Sequence, residues 1–237
     1  MINLGTMCSN YEEAKMILKK FDIAYDENFD KVYKKFARSS YSDEFKKCSR
    51  KGTALTIYQT AIDYKDYSLY LPEDGAFFQF TYSENSLRFA YFERPHAVLT
   101  YREFLEENAF DYDEVGEELY DEFNQYLLEA PQKEHITNIR YDYSEEEYRE
   151  LVHPVSHLHI GQNNNIRLPL SVILLPASFI MLVIKQVYWE KFKQYTNKND
   201  ELITFYLDQI NNVKNIKKGF FSTNDATDLA IRRSERL

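Results

Sequence analysis

Apolar residues recur with a helical period towards both ends of the chain and with a period of two in its middle. Residues 1 to about 60 predict helices. Ser9-x-x-Glu12 reads as a capping box ahead of Ala14, Ile17 and Leu18. Asn28 to Arg38 reads as a second helix, with Phe29, Val32, Tyr33 and Phe36 on one side and lysines on the other. After Gly75, Phe77–Tyr82 and Leu87–Phe92 flank Ser83-Glu84-Asn85-Ser86, which predicts a β-hairpin whose core face is Phe78, Phe80, Tyr82, Leu87, Phe89 and Tyr91. Such an aromatic face could stack on bases, but its density reads as core. Tyr101 to Ala130 returns to a helical repeat through Val115, Leu119, Phe123, Tyr126 and Leu127.

His135 to Tyr143 alternates again, with Thr137, Ile139, Tyr141 and Tyr143 on one face and Asn138, Arg140 and Asp142 on the other. On these residues alone the Arg140 and Asp142 face reads as solvent-exposed. Ser144-x-x-Glu147 predicts a further capped helix ending near Leu151. Val155 to Ile160 predicts a strand that places His157 and His159 on one face. Gly161 to Asn165 reads as a turn and Ile166 to Leu168 as the returning strand. The uncharged run from Leu168 to Ile184 is broken by Pro169 and Pro176 and is shorter than the ~20 residues a membrane span needs. It predicts a buried helix beginning at Pro176 and continuing past Trp189 towards Lys193. Asn199 is placed to cap a later helix through Leu202, Phe205, Tyr206, Ile210 and Val213, stopped by Gly219. A short helix is expected in the tail, where Arg232, Arg233 and Arg236 lie. The expected fold is α+β, one domain over 1–237. A helical part (1–60), a core holding a small, mostly antiparallel sheet (61–195) and C-terminal helices (196–237) follow one another.

Composition changes this picture little, and charge changes it more. The 237 residues are 44% apolar, ample for a core, and six glycines leave little room for a phosphate-cradling loop; Walker and dinucleotide-binding patterns are absent. Cys8 and Cys48 without a signal peptide read as reduced thiols in a cytoplasmic protein. Of the net charge of -9, residues 101–150 carry 17 acidic against 4 basic groups. Basic residues gather at Lys31, Lys34, Lys35, Arg38, Lys46, Lys47, Arg50 and Lys51. Two solvated faces of opposite sign account for this; the functional alternatives are a nucleic-acid patch and a docking face for a basic partner protein.

The chemistry concentrates between residues 140 and 169. Two imidazoles, a guanidinium and a carboxylate suffice for metal-independent cleavage of an RNA or nucleotide phosphodiester. His157 and His159 would act as acid and base, with Arg140 or Arg167 on the phosphate and Asp142 beside them. The bland alternative is that a histidine hydrogen-bonds across the hairpin and fixes its register. His157 and His159, with Asp142 or His153, also have the spacing of a metal site. They lack the carboxylate of an HxHxDH run, and HExxH and CxxC are absent, so no metal and no cofactor are expected.

Arg140-Tyr141-Asp142, His153-Pro154-Val155-Ser156-His157-Leu158, Gly161-Gln162, Arg167-x-Pro169 and Pro176-x-x-Phe179 resemble a bacterial family catalogued as domain of unknown function 2290, from roughly Tyr67 to Tyr188. The order of strand pair, Arg-Tyr-Asp strand, His-x-His and closing helix is also similar to that of TumE-type toxins of toxin-antitoxin pairs. That resemblance implies a functional cluster of Arg140, Asp142, His157 and His159. It suggests a toxin or anti-phage defence protein, partnered by an antitoxin or defence effector. The competing expectation is a non-catalytic accessory subunit of a larger effector, with no membrane role.

Overall fold

The computed structural model describes residues 2–230 except 98, 100, 163–165, 198, 199 and 212. The chain opens with α1 (Leu4–Lys20), which buries Met7, Tyr11, Ala14, Ile17 and Leu18 at helical spacing. Its cap is Asn3, which accepts from the Thr6 amide at 2.8 Å, and not Ser9. The apolar stripe begins at Met7, so the helix must start one turn earlier than Ser9 allows. After β1 (Asp26–Glu27) comes α2 (Phe29–Tyr33), a single turn rather than a helix reaching Arg38. Lys35 and Phe36 both take positive φ (+56°), which stops the helix and turns Phe36 into the core. The expected stripe is therefore split: Phe36 is buried and Val32 packs against the core, but Phe29 and Tyr33 are exposed and Lys31 is buried. A 3-10 turn at Arg38–Ser40, α3 (Asp43–Cys48) and α4 (Ala54–Asp63) follow, and Cys8 and Cys48 are both free thiols.

Next come β2 (Leu69–Tyr70), β3 (Phe77–Ser83) and β4 (Ser86–Phe92). Ser83 pairs with Ser86, so the hairpin turn is the two residues Glu84 and Asn85. The acidic stretch forms three short helices, α5 (Tyr101–Glu107), α6 (Tyr112–Val115) and α7 (Tyr120–Glu129), where one repeat was expected. Positive φ at Ala109 and Gly116 separates them. Tyr101, Phe104, Phe123 and Tyr126 pack against one another and hold the excursion together. β5 (Ile139–Ser144) starts later than the alternation from His135 suggests. Ser144 does accept the Glu147 amide, at 3.3 Å, but no helix follows; the segment is a turn with Leu151 at φ +59° and an Arg149–His153 bridge.

β6 (Ser156–Ile160) returns through β7 (Leu168–Pro169), two residues that begin after Ile166 and Arg167. The expected turn residues Asn163, Asn164 and Asn165 lie outside the described residues. β8 (Val172–Ile173) leads into α8 (Pro176–Val187), then α9 (Trp189–Thr196) and α10 (Asp200–Asn211). α10 ends well before Gly219; β9 (Lys214–Asn215), which pairs with β8, and α11 (Thr223–Ala230) are the last elements among the described residues. Asn199 and the tail arginines 232, 233 and 236 lie outside the described residues, as do the side chains of Leu127 and Ile210. No helix among the described residues is long and apolar enough to cross a membrane.

β1 to β7 form one antiparallel sheet in sequence order, giving the α+β class. Its period of two sends Phe78, Phe80, Phe89, Tyr91, Ile139, Tyr141 and Leu158 to one side, where α1 and α8 cover them. Phe179 on α8 sits at the centre, fully buried, with the rings of Phe89, Phe78 and Phe80 at 5.8, 6.3 and 6.4 Å. Phe179→Ala is expected to lower unfolding free energy by about 3–5 kcal/mol in urea titrations. A loss below about 1 kcal/mol would mean that the α8–sheet interface is not the main core. The other side of the sheet is split. Phe77 and Phe92 lie under Tyr41, Phe45 and Ile57 of the α3–α4 segment, and beyond them the face turns polar.

Candidate active site

The registers explain the polar half of that face. Arg88 on β4 stands opposite Asp142 on β5, Asp142 opposite His157 on β6, and Arg140 opposite His159. Each points away from the aromatic core because its neighbours Phe89, Tyr141 and Leu158 point into it. Sequence separations of up to 71 residues thus collapse into one cluster. Asp142 is its hub: Arg88 Nε donates to Oδ1 at 2.6 Å, Arg140 Nε donates to Oδ2 at 2.8 Å, and His159 Nε2 lies 3.4 Å from Oδ2. Asp142 is only 6% exposed, so the expectation of a solvated ion pair is corrected. A carboxylate at this depth requires partners, and two guanidiniums supply them. Burial opposes its ionisation, but the His159 contact and the charges of Arg88 and Arg140 outweigh burial and hold the carboxyl well below the usual range.

His157 is buried against the same group. Its Nδ1 lies 2.9 Å from the Pro154 carbonyl, a contact that requires the proton on Nδ1 and leaves Nε2 as a lone pair. Burial pushes this imidazole down to about 4, with the charge of Asp142 pulling partly the other way. It is therefore neutral at neutral pH. The His157 and His159 rings are 4.9 Å apart, and His153 stands 5.0 Å from His157. The hydrogen bond of His157 returns to its own approach to β6, and the His159 contact reaches back to β5.

All five expected residues, Arg140, Asp142, His157, His159 and Arg167, line one open cavity of about 630 Å³, with Arg88, Arg149, His153, Glu146 and Glu147. Sequence reading missed Arg88 and Arg149. Arg88 was marked by its position between the core residues Leu87 and Phe89, but only the β4–β5 register connects it to Asp142. The expected basic patch divides. Arg38, Lys46 and Arg50 line an adjoining cavity; Lys34, Lys35, Lys47 and Lys51 are not among the residues lining either cavity. Lys31 leaves the patch altogether, because its ammonium is buried at 2.8 Å from Asp66.

The nearest donor atoms of Asp142, His157 and His159 all lie within 4.8 Å of one another, and two imidazoles with a carboxylate are the donors that Zn²⁺ or Fe²⁺ accepts. Charge weighs against a dication. Both oxygens of Asp142 already receive guanidinium N–H groups, and four arginines line the cavity against three carboxylates, Asp142, Glu146 and Glu147. Such a surface suits an anion better.

No curated protein and no solved structure matches the chain. A family described as an uncharacterized conserved protein (DUF2290) matches residues 23–231, a span that contains the whole polar face of the sheet, and the chain belongs to that family.

Proposed function

We propose that this face binds and cleaves a phosphodiester of RNA or a related nucleotide without a metal ion. The observation that carries the reading is one cavity joining a neutral, tautomer-fixed imidazole, a second imidazole on a buried carboxylate, and four guanidiniums. His157 Nε2 takes the proton of the 2'-hydroxyl, O2' bonds to phosphorus, and the bond from phosphorus to O5' breaks. His159 donates a proton to that leaving oxygen. The products are a 2',3'-cyclic phosphate and a 5'-hydroxyl end. Arg140, Arg88 and Arg167 neutralise the charge that builds on phosphorus, and Asp142 stabilises the imidazolium formed on His157.

The test is cleavage of a labelled oligoribonucleotide with excess EDTA present. Cleavage that persists supports the imidazole route; cleavage that stops with EDTA and returns with Zn²⁺ transfers the cluster to metal chemistry. The acid limb of kcat/KM is a second expectation. The base works only when neutral, so activity is lost as pH falls through the pKa of His157, about 4 rather than the ordinary 6.5. An acid limb centred near 6.5 would remove His157 from the role of base.

A nuclease of this kind fits a toxin-like or anti-phage defence protein kept in check by a partner, and induced expression should then arrest growth. The acidic helices α5–α7 favour a second reading, an accessory subunit docking a basic effector. Stable co-purification with a neighbouring gene product, unchanged when His157 is replaced, would select that reading.

A further inference from the structure

The cavity that holds the histidines shares Arg88, Arg140 and His159 with a second cavity of about 560 Å³ on the α3 side. Both volumes fall within the range of small-molecule sites, roughly 300–1,000 Å³. The two differ in chemistry. Phosphate-binding and proton-transferring groups line the first. The second is walled by Tyr41, Phe45, Phe92 and Ile57, floored by Ala90 and edged by the Gln79 amide. Its rim carries Arg38, Lys46 and Arg50, and Arg38 stands close enough to Arg50 and Arg88 to feel the charge of both. A flat apolar body attached to an anionic group matches this pair of chambers, with the anion on the shared guanidiniums.

We infer that the second chamber is a nucleobase subsite, so that the ligand is an unpaired nucleotide unit with its base between the sheet and α3 and its phosphate on Arg88 and Arg140. This rests on the phosphodiester reading and adds the substrate class to it. A base still paired in a duplex cannot enter a chamber walled on one side by the sheet and on the other by Phe45. The nucleotide comes either free or from a single strand, whose next phosphate would lie over Arg38 and Arg50.

Isothermal titration of the whole chain with adenosine monophosphate and with ribose 5-phosphate isolates the base, since the two differ only by it. The nucleotide is expected to bind about tenfold more tightly, the size of a stacking contribution. Ala90→Leu, which fills the floor of the chamber and leaves the arginines in place, should bring that ratio close to one. Equal binding of the two ligands by the wild type overturns the subsite, as does a ratio that survives Ala90→Leu in a variant that melts like the wild type. Arg38→Ser/Arg50→Ser, two exposed positions, identifies the source. A single-stranded tetranucleotide should lose about tenfold in affinity while the mononucleotide does not if the strand is the ligand. If the free nucleotide is the ligand, the tetranucleotide binds no more tightly than the mononucleotide. Duplex RNA that binds as tightly as single-stranded RNA would sink the inference. RNA cleavage together with equal binding of the two ligands leaves the phosphodiesterase reading standing and removes the subsite; tighter binding of the nucleotide without RNA cleavage does the reverse.

Discussion

His157→Asn should lower kcat/KM for RNA cleavage by about 10²–10⁴-fold while the protein remains folded. Asparagine is the informative replacement, because its side-chain amide can stand where Nδ1 stands and keep the hydrogen bond to the Pro154 carbonyl, 2.9 Å away in the wild type. Only the Nε2 lone pair is lost. His159→Gln is the partner experiment, since its amide can reach towards Asp142 but delivers no proton to a leaving oxygen. In the acid–base reading each variant alone removes most of the rate, and the double variant is scarcely worse, as expected for groups that act as a unit. Cleavage within threefold of wild type in His157→Asn, at equal melting temperature, would end the proposal that this cluster is catalytic.

Lys31→Met should cost about 3–5 kcal/mol of stability, more than any other single replacement of a basic residue on the α2–α3 segment. Lys31 is 5% exposed, and its ammonium donates to Asp66 Oδ1 at 2.8 Å and to the Ser40 carbonyl at 2.7 Å. Removing it strands the Asp66 carboxylate, 1% exposed, on the Ser42 amide and hydroxyl alone. Those are also the groups that start α3, so the loss reaches Phe45 and Arg50, the wall of the second chamber. The exposed Lys34→Ala serves as the control and should stay within about 0.5 kcal/mol. Urea titrations in which the two variants coincide would show that the buried pair is dispensable.

These two sites also mark where sequence reading succeeds and where it stops. Alternation from Phe77 to Phe92 and from Ile139 to Ile160 identifies the main core face, because successive side chains point to opposite sides; that the other face is also covered, over Phe77 and Phe92 by α3 and α4, is not visible in the alternation. The apolar run after Pro176 identifies α8 for a similar reason, a helix being buried almost all round. The burial of Asp142 is not visible locally. It depends on Arg88, 54 residues away, and a charge is recognised as buried only when its partner is known. Lys31 and Asp66 are separated by 35 residues, and positive φ at Lys35 and Phe36 has no glycine to announce it. The break between α5 and α6 is hidden for the same reason, since Ala109 interrupts the repeat without any change in its polarity, whereas Gly116 marks the break that follows α6.

The sheet connects each strand to its successor across two long intervals, one between β1 and β2 that holds α2 to α4 and one between β4 and β5, where α5, α6 and α7 leave and return. The second interval is closed at its base: the Ala97 amide donates to the Pro131 carbonyl at 2.8 Å, and His96 pairs with Gln132. Closing a loop costs only about 0.6 kcal/mol more for each doubling of its length. The excursion is therefore nearly free, thermodynamically, to lengthen, shrink or be exchanged between relatives. The β4–β5 register that sets Arg88 against Asp142 is fixed by the strands beneath it and not by the length of the excursion, so the attachment can change while the polar face keeps its geometry.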